Sequence, residues 1–164
     1  MIEKFIKWAK ERGWDIQLSS NSSFSLPADL NTRYPNIPCE YIEFLKQISL
    51  CVTPDDKLWF ICLSDYEGRS NSVYSWDEIE KMSLCAAEGD DDWQEEITGF
   101  WDEHIPIILS VEDGYSYYAL NVGSDFGSVV YGYEPEFEEA KKVSTSFFEF
   151  LNEVIINRVK FNVL

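Results

Sequence analysis

His104-Ile-Pro-Ile-Ile-Leu-Ser-Val-Glu-Asp-Gly114, Tyr115-Ser-Tyr-Tyr-Ala-Leu-Asn-Val122, Gly123-Ser-Asp-Phe-Gly127 and Ser128-Val-Val-Tyr-Gly-Tyr133 follow one another without interruption, and their reading decides the fold. Three runs rich in Val, Ile and Tyr are separated by two short Gly/Asp breaks. Such residues suit a pleated, half-buried surface, and Asp113-Gly114 supplies the positive φ of a tight turn. The pattern predicts an antiparallel meander over residues 105–110, 115–122 and 128–134. Tyr118, Leu120 and Val122 alternate onto one face, Tyr117, Ala119 and Asn121 onto the other, and the first face is expected to meet the core.

Elements to cover that sheet lie on both sides of it. Ser146-Phe-Phe-Glu149 fits a capping box, and Phe147, Phe150, Leu151, Val154 and Ile155 form an apolar stripe, predicting a helix from about residue 145. Upstream, Ile2, Phe5, Ile6 and Ala9 mark a helix over residues 2–12 that Gly13 ends. Pro38 opens a helix whose stripe is Tyr41, Phe44, Leu45 and Ile48. Leu58–Leu63 reads as a strand covered on both faces, and Ser75-Trp-Asp-Glu78 as a second capping box before a helix bearing Ile79, Met82 and Ala86. Residues 93–103 fit a short helix with Ile97, Phe100 and Trp101 on one side. Residues 14–36, with the run Ser19-Ser-Asn-Ser-Ser23, Pro27 and Pro35, read as irregular chain, and residues 157–164 as a tail. The whole is expected to be one α+β domain spanning 1–164, a central and mainly antiparallel sheet flanked by helices.

Composition narrows the function. Hydrophobic residues make up 45% of the 164, enough to pack a core. The net charge of −17 repels phosphates, so direct binding to nucleic acid is not expected; it attracts a basic partner, or serves solubility alone. No apolar run approaches the ~20 residues of a membrane span, and the charged N-terminal pattern lacks a signal core, so a cytoplasmic location is expected. Cys39, Cys51, Cys62 and Cys85 are irregularly spaced and are expected to be buried free thiols.

Catalytic and cofactor chemistry finds little support. His104 is the one histidine, with no Gly-x-Ser-x-Gly motif to complete a triad and no zinc-ligand spacing around it. Asp125-Phe126-Gly127 lacks every companion of the kinase motif and reads as a hairpin loop. No phosphate loop is present. The expectation is a protein without catalysis, metal or cofactor. The densest acidic run is Glu88, Asp90, Asp91, Asp92, Glu95, Glu96, Asp102 and Glu103, interleaved with Trp93, Phe100 and Trp101. Its spacing is not that of an EF-hand loop. Two readings stand: a solvated acidic loop with its aromatics turned inward, or a docking surface with a Trp anchor.

Taken in order, several blocks resemble the SUKH superfamily, which includes bacterial immunity proteins and fungal cell-wall regulators. They are Pro38, Tyr41, Phe44 and Leu45; Ile105, Pro106, Asp113, Gly114, Tyr117, Tyr118 and Leu120; Gly127 and Val129; and Ser146, Phe147, Phe150 and Leu151. The resemblance spans residues 37–156. Ser49, Leu50 and Cys51 stand where many members have Asn-Gly-Gly. The resemblance implies an α+β fold and, for bacterial members, an antidote that binds a cognate toxin, often a nuclease. A basic toxin would meet Glu88, Asp90, Asp91, Asp92, Trp93, Glu95, Glu96 and Trp101, and an acidic face would cover its phosphate-binding cleft. The alternative is a non-enzymatic adaptor or regulator, as among the fungal members.

Overall fold

A computed structural model describes residues 1–19 and 23–161. Ser20, Asn21 and Ser22 of the polar run and the last three residues of the expected tail lie outside the described residues. In chain order the elements are α1 (Ile2–Glu11), β1 (Asp15–Leu18), α2 (Ala28–Arg33), α3 (Cys39–Gln47), β2 (Ile48–Val52), β3 (Leu58–Phe60), α4 (Leu63–Tyr66), α5 (Glu78–Ala86), α6 (Asp91–Asp102), β4 (His104–Ser110), β5 (Ser116–Asn121), β6 (Val129–Tyr133), β7 (Lys141–Ser144) and α7 (Phe147–Ile155). The strands form one antiparallel sheet in sequence order, β1 to β7. The fold is therefore α+β, with a meander running through the whole chain.

The expected meander is its central part. Gly114 and Gly127 both adopt φ +91°, the left-handed conformation their turns require. Tyr117 pairs with Gly132 across β5 and β6, and its ring lies over the glycine: a Cβ there would sit 2.5 Å from the ring. Burial on one face only does not hold. Tyr117, Tyr118, Ala119, Leu120 and Asn121 are all buried, because helices cover both faces of β5. On one side the Tyr118 ring meets Phe150 of α7 at 5.1 Å. On the other, the Tyr117 ring meets Trp101 of α6 at 4.8 Å.

The α7 side holds an aromatic core in which Phe5, Phe44, Phe60 and Phe147 touch through ring centroids 5.1–5.4 Å apart. Phe161, in the expected tail, packs into it against Trp14, Phe60, Tyr118 and Phe150. Ser146 caps α7 by accepting from the Glu149 N–H at 3.1 Å. Glu149 reaches back not to Ser146 but to the Thr145 N–H, at 2.9 Å. At α5, Glu78 accepts from the Ser75 N–H at 3.1 Å, one half of the expected capping box.

Three strands and two helices occupy ground expected to be irregular or otherwise assigned. β1 and α2 fall within 14–36, β7 within the acidic linker, and β2 follows α3 directly. β3 stops at Phe60 rather than Leu63, because Asp65 accepts from the Cys62 N–H at 2.8 Å and turns the chain into α4. Hydroxyls then take over from the ladder: Tyr66 donates to the Pro106 carbonyl at 2.6 Å and Tyr41 to that of Ile61 at 2.9 Å. A buried carbonyl left without a donor would cost about 1–3 kcal/mol. All four cysteines are unpaired, but only Cys51 and Cys62 are buried; Cys39 and Cys85 are exposed, because both sit on outward faces of their helices.

Candidate protein-docking surface

The acidic run begins at Glu88, just past the end of α5, and spans the whole of α6. Asp90 caps α6 by accepting from the Trp93 N–H at 3.0 Å, and Asp91 and Asp92 occupy the first turn. Carboxylates there interact favourably with the positive end of the helix dipole. The same residues thus start the helix and present charge. Ile97 and Trp101 fill the inner stripe, while Glu88, Asp90, Asp91, Asp92, Glu95 and Glu96 are exposed. Among the described residues none of these six forms an ion pair with Lys or Arg.

The aromatic residues of the run separate into two groups. Trp93 is 45% exposed, in the middle of the unpaired acids. Trp101 is wholly buried and does not belong to the surface: its ring packs on Tyr117, and its indole N–H donates to Glu138 at 2.8 Å. Phe100 stacks on the half-buried His104 at 4.1 Å. His104 Nδ1 donates to the Phe100 carbonyl at 2.7 Å, leaving Nε2 to accept from Asn121 at 3.1 Å. Burial lowers its pKa and favours this neutral form. It serves as a bracket between α6 and β5.

The Trp101–Glu138 bond adds a feature that the linear sequence hides. Phe137 is buried on the Tyr117 side, and Tyr117 donates its hydroxyl to the Phe137 carbonyl. The loop between β6 and β7 therefore folds back against the C-terminal end of α6, with Glu136 and Glu139 exposed. Two acidic segments about forty residues apart in sequence thus lie on one side of the sheet.

Arg33 fixes this side from beneath. Its guanidinium makes two bonds of 2.8 Å to Glu80 on α5 and one of 2.9 Å to Asp102 on α6. Tyr34 donates to the Trp101 carbonyl at 2.8 Å. Neither residue stood out in sequence, because both fall in the stretch read as irregular. The only hint was a cation isolated between two prolines.

The α+β architecture, one antiparallel sheet flanked by helices, is that implied by the SUKH resemblance, and the Pro-led α3, the strands β4 to β6 and the closing α7 carry its blocks in order. The profile of the SMI1/KNR4 family (SUKH-1) matches residues 25–153. The chain belongs to this family, and so to the SUKH superfamily. Its members are generally non-enzymatic immunity or regulatory proteins that bind partner proteins. The matched span takes in α2 and Arg33 and leaves out α1 and β1. No curated protein matches the chain. Among the described residues no helix is long and apolar enough to cross a membrane, and no cluster of His, Cys, Asp and Glu could hold a metal ion.

Proposed function

We propose that this chain is an immunity protein, one that binds a basic toxin, a nuclease by preference, and covers its active cleft with the face built on α6. The reading rests on one observation: a 45% exposed Trp93 set among six exposed carboxylates that, among the described residues, have no cation partner. Unpaired acids raise the rate of capture of a cationic surface through long-range attraction. A tryptophan supplies the buried anchor that slows release. Glu136 and Glu139 widen the same field, and Trp101 acts from below as support. A nuclease cleft is lined with Lys and Arg to neutralise phosphates, so an acidic face competes with its substrate for the same groups.

The test uses the protein product of the adjacent gene. It should co-purify with this chain, poison cells when produced alone and become harmless when both are produced. A stable complex that leaves the partner's activity untouched would favour the adaptor role of the fungal regulators, and failure to bind would remove the immunity reading.

A further inference from the structure

The sheet has two open edges, and they are built differently. β7 displays Lys141 and Lys142, with Lys142 paired to Asp125 at 2.8 Å. Lysines on an edge oppose the addition of another strand. β1 reads Asp15-Ile-Gln-Leu18, carries no Lys and leaves Leu18 55% exposed. Among the described residues its outer side pairs with no strand.

Among the described residues the sheet face beside β1 is also open, bordered by Ser64 and Asp65 of α4. In register, Asp15 lies opposite Val52, Val52 opposite Trp59, and Gln17 opposite Leu50, so these residues share a face. Tyr74 stacks on Trp59 at 5.6 Å, and the cover ends there. What remains is a groove of about 660 Å³, floored by Leu50, Val52 and Trp59 and walled by the loop around Val73, which is 88% exposed. Asp15 and Asp56 stand exposed along it. Among the described residues its one lining cation, Arg69, is already ion-paired to Glu67.

We propose that β1 and this groove receive an extended, basic segment of another protein as an eighth strand. Its main chain would continue the ladder, which supplies affinity, and its alternate side chains would select for sequence. On its groove side Lys or Arg would reach Asp15 and Asp56, their apolar stems lying toward Leu50 and Val52 against Val73, while the alternate apolar residues would lie on the opposite face beside Leu18. Charge decides the occupant: a second copy brings another −17 to an edge already marked by Asp15, whereas a cationic strand is attracted. The surface is separate from α6 and does not depend on the immunity reading.

The probe is a fluorescein-labelled, end-capped octapeptide of alternating Lys and Val. Its twin carries N-methyl groups along one strand edge, with the same charge and side chains but no ladder donors on that edge. The twin should bind about tenfold or more weakly, the equivalent of one or two lost hydrogen bonds. The unmethylated peptide should shift the amide resonances of Asp15–Leu18. Val73→Ser and the pair Asp15→Asn with Asp56→Asn should each weaken it with melting unchanged; Asn tolerates the φ of +59° at position 56. Equal binding of the two peptides, or resonance shifts confined to α6, would show simple attraction to an acidic protein and overturn the proposal. A dimer in sedimentation that Leu18→Lys dissolves would also overturn it, by showing that the edge pairs with its own copy.

Discussion

Arg33→Met tests whether the segment before α3 supports the acidic face. The substitution keeps an apolar stem and removes a guanidinium bonded twice to Glu80 at 2.8 Å and once to Asp102 at 2.9 Å. An exposed ion pair contributes about 1 kcal/mol at most, and breaking a fully buried one costs about 3–5 kcal/mol. The side chains here are 25% exposed for Arg33 and 10% for Glu80, nearer the buried limit; Asp102, at 53%, adds little. The expected loss is about 2–4 kcal/mol, most of it from leaving Glu80 desolvated without a partner. With a urea dependence near 2 kcal/mol per molar, the unfolding midpoint should fall by roughly 1–2 M. Glu80→Leu in the Arg33→Met background should restore much of the loss, giving a coupling of about 1.5–3 kcal/mol in a double-mutant cycle. A single-variant loss below about 0.5 kcal/mol with no coupling would mean that the pair is solvated and that α5 and α6 hold their places without it.

Other expectations follow from the core and the sheet. Phe150→Ala or Leu151→Ala should each cost about 2–5 kcal/mol in denaturant melts, through lost burial and an unfilled cavity; both side chains are fully buried. Gly132→Ala should destabilise by about 1–3 kcal/mol, because its Cβ would meet the Tyr117 ring at 2.5 Å, and near-UV circular dichroism should change with it. The half-buried His104 has a lowered pKa, so the unfolded chain takes up its proton first. Stability tied to the neutral ring is present above about pH 6.5 and lost as pH falls below it, and the advantage of wild type over His104→Gln should shrink between about pH 7.5 and 5.

Periodicity made the central sheet legible and its flanks much less so. β4, β5 and β6 carry β-branched and aromatic runs closed by Gly turns, and α7 has both stripe and cap. β2 was hidden because it begins at Ile48, the residue after α3, with no Gly or Pro between. Ile48 thus completes a helical stripe on paper and opens a strand in space. β7, Lys141-Lys-Val-Ser144, is an edge strand with little to bury, and such a strand reads as linker. Asn121 misled the assignment of faces: it is 5% exposed, but its side chain accepts from the Gly123 and Asp125 N–H groups at 2.9 and 3.2 Å, which satisfies a buried amide.

The candidate surface was half legible. A linear run of acids is visible in any sequence, and the helical spacing of Trp93, Ile97 and Trp101 sets them on one stripe. Spacing does not show which end of that stripe is covered. Trp101 faces Tyr117, and Trp93, two turns earlier, faces solvent. The contribution of Glu136 and Glu139 depends on Phe137 folding back under the loop, a long-range contact with no periodic signature.

The most direct measurement is stopped-flow association of the adjacent gene's product, the proposed toxin, with wild type, with Asp90, Asp91 and Asp92 all changed to Asn, and with Trp93→Ala, at two salt concentrations. Asn retains the cap at position 90, and surface changes of this kind usually shift stability within about 0.5 kcal/mol. The triple variant should associate more slowly and respond less to salt, since screening acts over about 8 Å at physiological ionic strength. Trp93→Ala should associate nearly as fast and dissociate sooner, losing about 2 kcal/mol or more of binding while melting like wild type. Unchanged rates and salt response in the triple variant would contradict the account and leave α6 as a solvated acidic helix.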